Sequence, residues 1–453
     1  MLNSLIEGPG FFMAICLVIF SFLMPIVSCE LRKSSLIMFG YWFVILLHQV
    51  VALLNTYLFA TGQRGTIGAR DDANLGFHHI ATELALNGEF FTGVRKFILP
   101  MSWDRILDGA YFYYSLLGNV YKTFGVSHLL GEQLSILVFA FSCIVLLKLI
   151  RLLGLEHYSF SSLIFFGALP TMVLLGSITL RESYEILFFM LTVYFGVRIS
   201  VNEKLSIPCI LLMIISAVLM GSFHKALIVY AVFLIVLFLI WSFRPISRFG
   251  NLKKLQLVAL VIVPVSLACL MVAVSKGWAD LGLLGGLLKF SNSEDFTSAI
   301  INFRKGSMMM FTRATYDLGF DDSSLFAMIY SSINIYSHYL FAPFPWQVKN
   351  FTDVYAVVEA FSRMILISFA LLGWWKAVGS QKRMLGLMLI LYFTMTFLWA
   401  IGTTNYGTAI RHNLTTWWIL AVAGVPSLME VLNRCKIYFI SNRHSHFLES
   451  RLS

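Results

Sequence analysis

Apolar runs of about 20 residues recur along most of this chain, and that length is what one membrane-crossing helix needs. The runs fall near 10–28, 35–59, 129–150, 157–177, 181–199, 205–223, 225–243, 255–275, 355–376, 384–402 and 414–432. They predict an all-α, polytopic transmembrane protein with roughly eleven spans and a single integral membrane domain over 1–453. Composition excludes a soluble alternative. The chain is 58% hydrophobic and 12% charged, against about 45–50% and 25% in soluble domains. A net charge of +10 could suggest nucleic acid. The basic residues, however, sit in short clusters between apolar runs, as in cytoplasmic loops, so no nucleic-acid partner is expected. The six cysteines are scattered, with no metal-binding spacing and no disulfide framework.

Lys and Arg in short loops set the orientation. Arg32 and Lys33, Lys148 and Arg151, Lys204, Arg244 to Lys254, and Lys376 to Arg383 all fall on one side when the runs are alternated. The tail, with Arg434, Lys436, Arg443 and Arg451, falls there too. That side is expected to be cytoplasmic, with the N-terminus outside, in a bacterial inner membrane. Two long segments then lie outside, 60–128 and 276–354. The first holds an amphipathic stretch, Phe77–Leu86, and an aromatic one, Tyr111–Tyr121. The second holds an apolar piece, Leu325–Phe344, interrupted by polar residues, which reads as partly embedded or interfacial.

Ionisable residues at bilayer depth are costly and usually face a cavity or one another. Here they gather on the outer side: Asp71 and Asp72, His78 and His79, Arg181 and Glu182, His224 and Lys225, Arg313, and Arg411 with His412. Adjacent carboxylates suit a general base or a divalent cation, Mg or Mn. The competing reading of Asp72 is a helix N-cap. Arg181 opens an apolar helix, where free N–H groups and the guanidinium fork attract phosphate. Its competitor is an Arg–Glu pair that only ties helices together. Lys225 and Arg411 can reach a lipid phosphate or merely snorkel to the headgroups.

The stretch Asp72-Ala73, Phe77-His78, Ala81, Leu84 and Leu86 resembles the first outer loop of GT-C-type glycosyltransferases, which use polyprenyl-phosphate sugars. Tyr113–Leu116, Phe124–Ser127 and Pro170–Glu182 are similar to the segments that follow it there. Two apolar runs precede the acidic pair here, where that family has one. Pro343–Trp346 and Asn405–Arg411 look like bacterial surface-polysaccharide polymerases. The resemblance implies an outer-face enzyme of cell-envelope polysaccharide biosynthesis. It would move a sugar or oligosaccharide repeat unit from a polyprenyl-linked donor to a glycan or lipid-linked acceptor. Asp72 or Asp71 would be the catalytic base, or would hold a metal. Arg181, Lys225 and Arg411 would bind donor phosphate, and His78 would orient the acidic pair or the donor. Glu182, His224, Arg313 and His412 complete the expected donor site. The rival expectation is a flippase for a lipid-linked sugar, for which internal repeats and broken helices would speak; no repeat is present.

Overall fold

The computed structural model describes residues 8–61, 71–86, 109–201, 206–242, 304, 315, 318–321, 323–349 and 351–452. The long apolar runs form helices, because in hydrocarbon every backbone N–H and C=O must find a partner within its own segment. In chain order they are α1 (Pro9–Val27), α2 (Ser35–Ala60), α3 (His79–Leu86), α4 (Gly109–Phe124), α5 (His128–Leu152), α6 (Ser159–Gly167) and α7 (Pro170–Gly176). There follow α8 (Glu182–Val201), α9 (Ile207–Phe223), α10 (Lys225–Ser242), α11 (Leu325–Phe341), α12 (Phe351–Lys376), α13 (Gly379–Gly402) and α14 (Tyr406–Leu452).

Seven of these helices are long and apolar enough to cross a membrane, and the bent pair α6–α7 makes an eighth candidate. The chain is thus an integral membrane protein of helical architecture. The 26 residues of α2 span about 39 Å, enough for a core of about 30 Å with tilt. Its lipid-side residues Phe39, Phe43, Leu46, Val50 and Leu53 are exposed, while Tyr41, Val44, Ile45 and His48 are buried. The expected span 255–275 lies outside the described residues.

The helices alternate between two ends. One end collects the starts of α5, α8 and α14 and the close of α13; we call it the polar end. The other carries Arg32, Lys33, Arg151, Lys376, Lys382, Arg383 and Arg434; we call it the basic end.

Three expectations are corrected. The run 157–177 is not one helix. Proline at 170 disfavours helix at the residue before it, Leu169 is extended, and α6 and α7 meet at 65°. The freed groups find side-chain partners. Trp417 Nε1 donates to the Phe165 carbonyl at 2.8 Å, and the Glu359 carboxylate accepts from Thr171 N at 2.6 Å and Thr171 Oγ1 at 2.5 Å. Next, the last helix begins well before the expected 414. Asn405 Oδ1 accepts from Thr408 N at 2.7 Å and starts α14 at Tyr406, so Arg411 and His412 stand on a helix. Asn413 is buried there. Finally, the Phe77–Leu86 helix begins earlier, as a π-helix over Asp71–His78 that runs into α3.

The α11 segment packs against α12, α13 and α14. Tyr336 bonds Thr396 at 2.7 Å, well inside α13. Its last carbonyls are capped at depth: Asn413 Nδ2 donates to Tyr339 O at 3.1 Å and Arg363 Nη1 to Leu340 O at 2.5 Å. On the far side of the bundle, Glu132 is wholly buried and accepts from Asn55 at 2.5 Å and Thr56 at 2.6 Å. Gln49 and Gln133 exchange two amide bonds of 2.8 Å beside them. These polar pairs tie α2 to α5 in the way interhelical hydrogen bonds do in lipid.

Candidate functional site

A cavity of about 320 Å³ opens at the polar end, lined by Gly76, Phe77, Tyr114, Arg181, Glu182, Glu185, His224, Thr408, Arg411 and His412. Five expected residues therefore share one wall, from segments far apart in the chain: Arg181 and Glu182 at the start of α8, His224 between α9 and α10, and Arg411 and His412 on α14. Phe77, from the π-helix, closes the opposite side. Its ring packs edge-on to Tyr113 at 5.0 Å and against Tyr114 at 5.2 Å, and the Arg181 guanidinium carbon lies 5.9 Å from its centroid.

The charges are paired but not fully satisfied. Arg411 Nε donates to Glu182 Oε1 at 2.8 Å, and Nη2 reaches the same oxygen. This longer-range pair ties α14 to α8. Arg181 Nε lies 3.4 Å from Glu185 Oε1, an ion pair without hydrogen-bond geometry. Arg181 Nε, Glu182 Oε2 and Glu185 Oε1 are buried and make no hydrogen bond among the described residues. Each buried polar atom left so costs about 1–3 kcal/mol. A donor and two acceptors of that kind around one cavity suit a ligand carrying both acceptors and hydroxyl donors.

The two histidines are fixed in opposite tautomers. His224 caps α10, its Nδ1 accepting from Ala226 N at 3.2 Å, so its proton is on Nε2. Burial foremost, then Arg181, His412 and Arg411, holds His224 well below the ordinary imidazole value and neutral. Thr403 donates its only hydroxyl proton to Trp399 O at 2.7 Å, so His412 Nδ1, 3.1 Å from Thr403 Oγ1, must be the donor there. Its Nε2 is then an acceptor. Trp399 stacks on His412 at 3.9 Å between centroids and meets His224 edge-on at 4.7 Å.

Arg304 braces this wall from the second long segment. It is 1% exposed and donates to the carbonyls of Ile401 at 3.1 Å, Thr403 at 3.3 Å and Leu318 at 3.1 Å, capping the C-terminus of α13. A backbone bridge between Thr315 and Asn405 adds a second tie.

The remaining expected residues part company. His78 does not line the cavity. It is buried, bonds the Tyr121 hydroxyl at 2.7 Å and packs against Phe59 and His128. Burial, with a smaller contribution from His79, lowers it to about 4. It anchors the π-helix rather than meeting a ligand. Asp71 and Asp72 fall on that π-helix, next to the cavity-lining Gly76 and Phe77, and Lys225 opens α10. The side chains of all three lie outside the described part of the structure, as does Arg313 altogether.

Glu185 is the member that sequence reasoning missed. It stands one helical turn from Arg181 and so shares its face; that spacing was the available signal. Trp399 and Thr403, which orient His412, carried none. Compared with known proteins, the chain matches no family model, no curated protein and no solved structure.

Proposed function

We propose that this protein is a membrane glycosyltransferase acting at the external face, with the polar-end cavity as its donor site. The observation that supports it is the set of orphaned buried atoms: one guanidinium donor and two carboxylate acceptors around a single cavity. A sugar phosphate complements that set, its phosphate oxygens taking the Arg181 donor and its hydroxyls giving protons to Glu182 and Glu185. The faces of Phe77 and Tyr114 offer an apolar wall to a sugar ring. The donor is a polyprenyl-phosphate-linked sugar or oligosaccharide repeat unit, and the acceptor a glycan or another lipid-linked chain.

In the reaction, Asp72, or its neighbour Asp71, takes the proton of the acceptor hydroxyl. The hydroxyl oxygen bonds to the anomeric carbon, and the bond from that carbon to the phosphate oxygen breaks, leaving the electron pair on the phosphate. Arg181 and Arg411 stabilise that leaving anion, and Lys225 is the further basic residue assigned to it. A divalent cation held by the acidic pair would share that charge. With a diphosphate-linked repeat unit the same steps make the protein a polysaccharide polymerase.

Purified protein in vesicles, given labelled lipid-linked sugar and acceptor, tests the reading. Glycan product is expected, and loss of about 100-fold or more on Asp72→Asn. Full transfer in both Asp71→Asn and Asp72→Asn would sink the acidic-base mechanism. A second reading, a flippase, is favoured by the broken pair α6–α7 alone. Movement of labelled lipid across the vesicle wall with no transfer product would establish it instead.

A further inference from the structure

A second cavity, also about 320 Å³, lies at the basic end between α12, α13 and α14. Its origin is a change in helix spacing. A Cβ on Gly373 would meet Ser427 Oγ at 2.1 Å, and one on Gly424 would meet the Leu366 carbonyl oxygen at 2.5 Å, so α12 and α14 cross in close contact there. Pro426, which cannot donate to the helix ladder, follows at once. Beyond the crossing the walls stand apart and leave a space with two kinds of lining. Its polar lining is Tyr158, Lys376, Gln381, Ser427, Arg434 and one carboxylate, Glu430; Leu155, Leu372 and Leu385 are apolar.

The cations are not equivalent. Arg434 pairs with Glu430 at 2.5 Å on its own helix. Lys376 makes no ion pair among the described residues. The rim is also marked as a membrane interface. Trp375 is 71% exposed beside it, and Lys382 lies 5.5 Å over the Trp374 ring while donating to the Trp375 carbonyl at 3.3 Å.

We infer that this cavity seats the phosphate headgroup of an anionic membrane lipid, with Lys376 and Arg434 on the phosphate and the apolar wall along the first carbons of the chain. Basic pockets between membrane helices recognise lipid headgroups in this way. A free anion would have no use for the apolar wall. The site is independent of the donor cavity at the other end.

The test uses the full-length protein in neutral detergent with phosphatidylglycerol, read by thermal unfolding and by native mass spectrometry of retained lipid. Phosphatidylglycerol is expected to raise the unfolding temperature and stay bound, while phosphatidylcholine and inorganic phosphate at equal concentration do neither. Lys376→Gln and Arg434→Gln should each weaken lipid binding about fivefold. Lys376→Arg should restore it, and Arg32→Gln, at the same end but outside the cavity, should leave it unchanged. Undiminished lipid retention in the Lys376→Gln/Arg434→Gln double variant would overturn the assignment. So would equal retention of phosphatidylcholine, or a thermal shift with inorganic phosphate equal to that with the lipid.

Discussion

Helices α8 and α12 both carry charged residues within an apolar sequence, yet the two sets serve different ends. On α12, Glu359 and Arg363 are 1% and 3% exposed and both bond backbone, although Arg363 Nε makes no hydrogen bond among the described residues. Glu359 closes the free N-terminus of α7, and Arg363 closes the free C-terminus of α11. Each charge meets the helix end of opposite sign. Around the start of α8, Arg181, Glu182 and Glu185 face one another and Arg411, and three of their polar atoms remain without a hydrogen bond beside an open cavity. Charges in a membrane helix are therefore not a functional signal by themselves. What separates the sets is whether the charge finds backbone partners or a cavity.

Substitutions should separate the two sets by readout. The largest effect is expected on activity: Arg181→Gln should cut sugar transfer about 100- to 1000-fold. Its unfolding temperature should fall less than that of the α12 variants, because Glu185 loses its ion pair but the Arg181 guanidinium has no hydrogen-bonded backbone partner among the described residues. On α12 the damage should fall on the fold. Arg363→Met strips the cap from α11 and removes the cation near Glu359, for a loss of about 3–5 kcal/mol in denaturant unfolding. If Arg363→Met instead folds as wild type does and only slows transfer, the contrast between the helices collapses.

Acidification gives a third comparison. His78 titrates at about 4 in the fold and near 6.5 when unfolded. The unfolded chain thus binds the proton first. The contribution of neutral His78 is fully present above about pH 6.5 and is lost as pH falls toward 4, up to about 3 kcal/mol. His78→Gln should flatten that part of the stability profile, and an unchanged profile would show that His78 does not anchor the π-helix. The smallest effect is expected for Trp417→Phe, which leaves the Phe165 carbonyl without its donor. A loss of about 1–3 kcal/mol should appear in unfolding, with transfer rates retained.

The residues differ in how much of this was legible beforehand. Apolar length alone located the long helices, because a membrane permits little else. It could not show that 157–177 bends, since the run stays apolar across Pro170 and the groups that allow the break, Glu359 and Trp417, lie about 190 and 250 residues away. Arg181, Glu182, His224, Arg411 and His412 could be placed at one end by counting helices, and the structure brings them to one cavity. Glu185 went unseen because a single carboxylate within an apolar run looks the same whether it faces lipid, backbone or a cavity. His78 lies outside the cavity lining. It neighbours the acidic pair in sequence, but its side chain points into the contact with Tyr121.

The most direct test measures transfer from a labelled polyprenyl-phosphate sugar by reconstituted wild-type protein and by Arg181→Gln, with unfolding temperature recorded on the same samples. The account predicts product from the wild type and at least about 100-fold less from the variant, measured at a temperature where both samples are fully folded. Transfer by Arg181→Gln at the wild-type rate would contradict it.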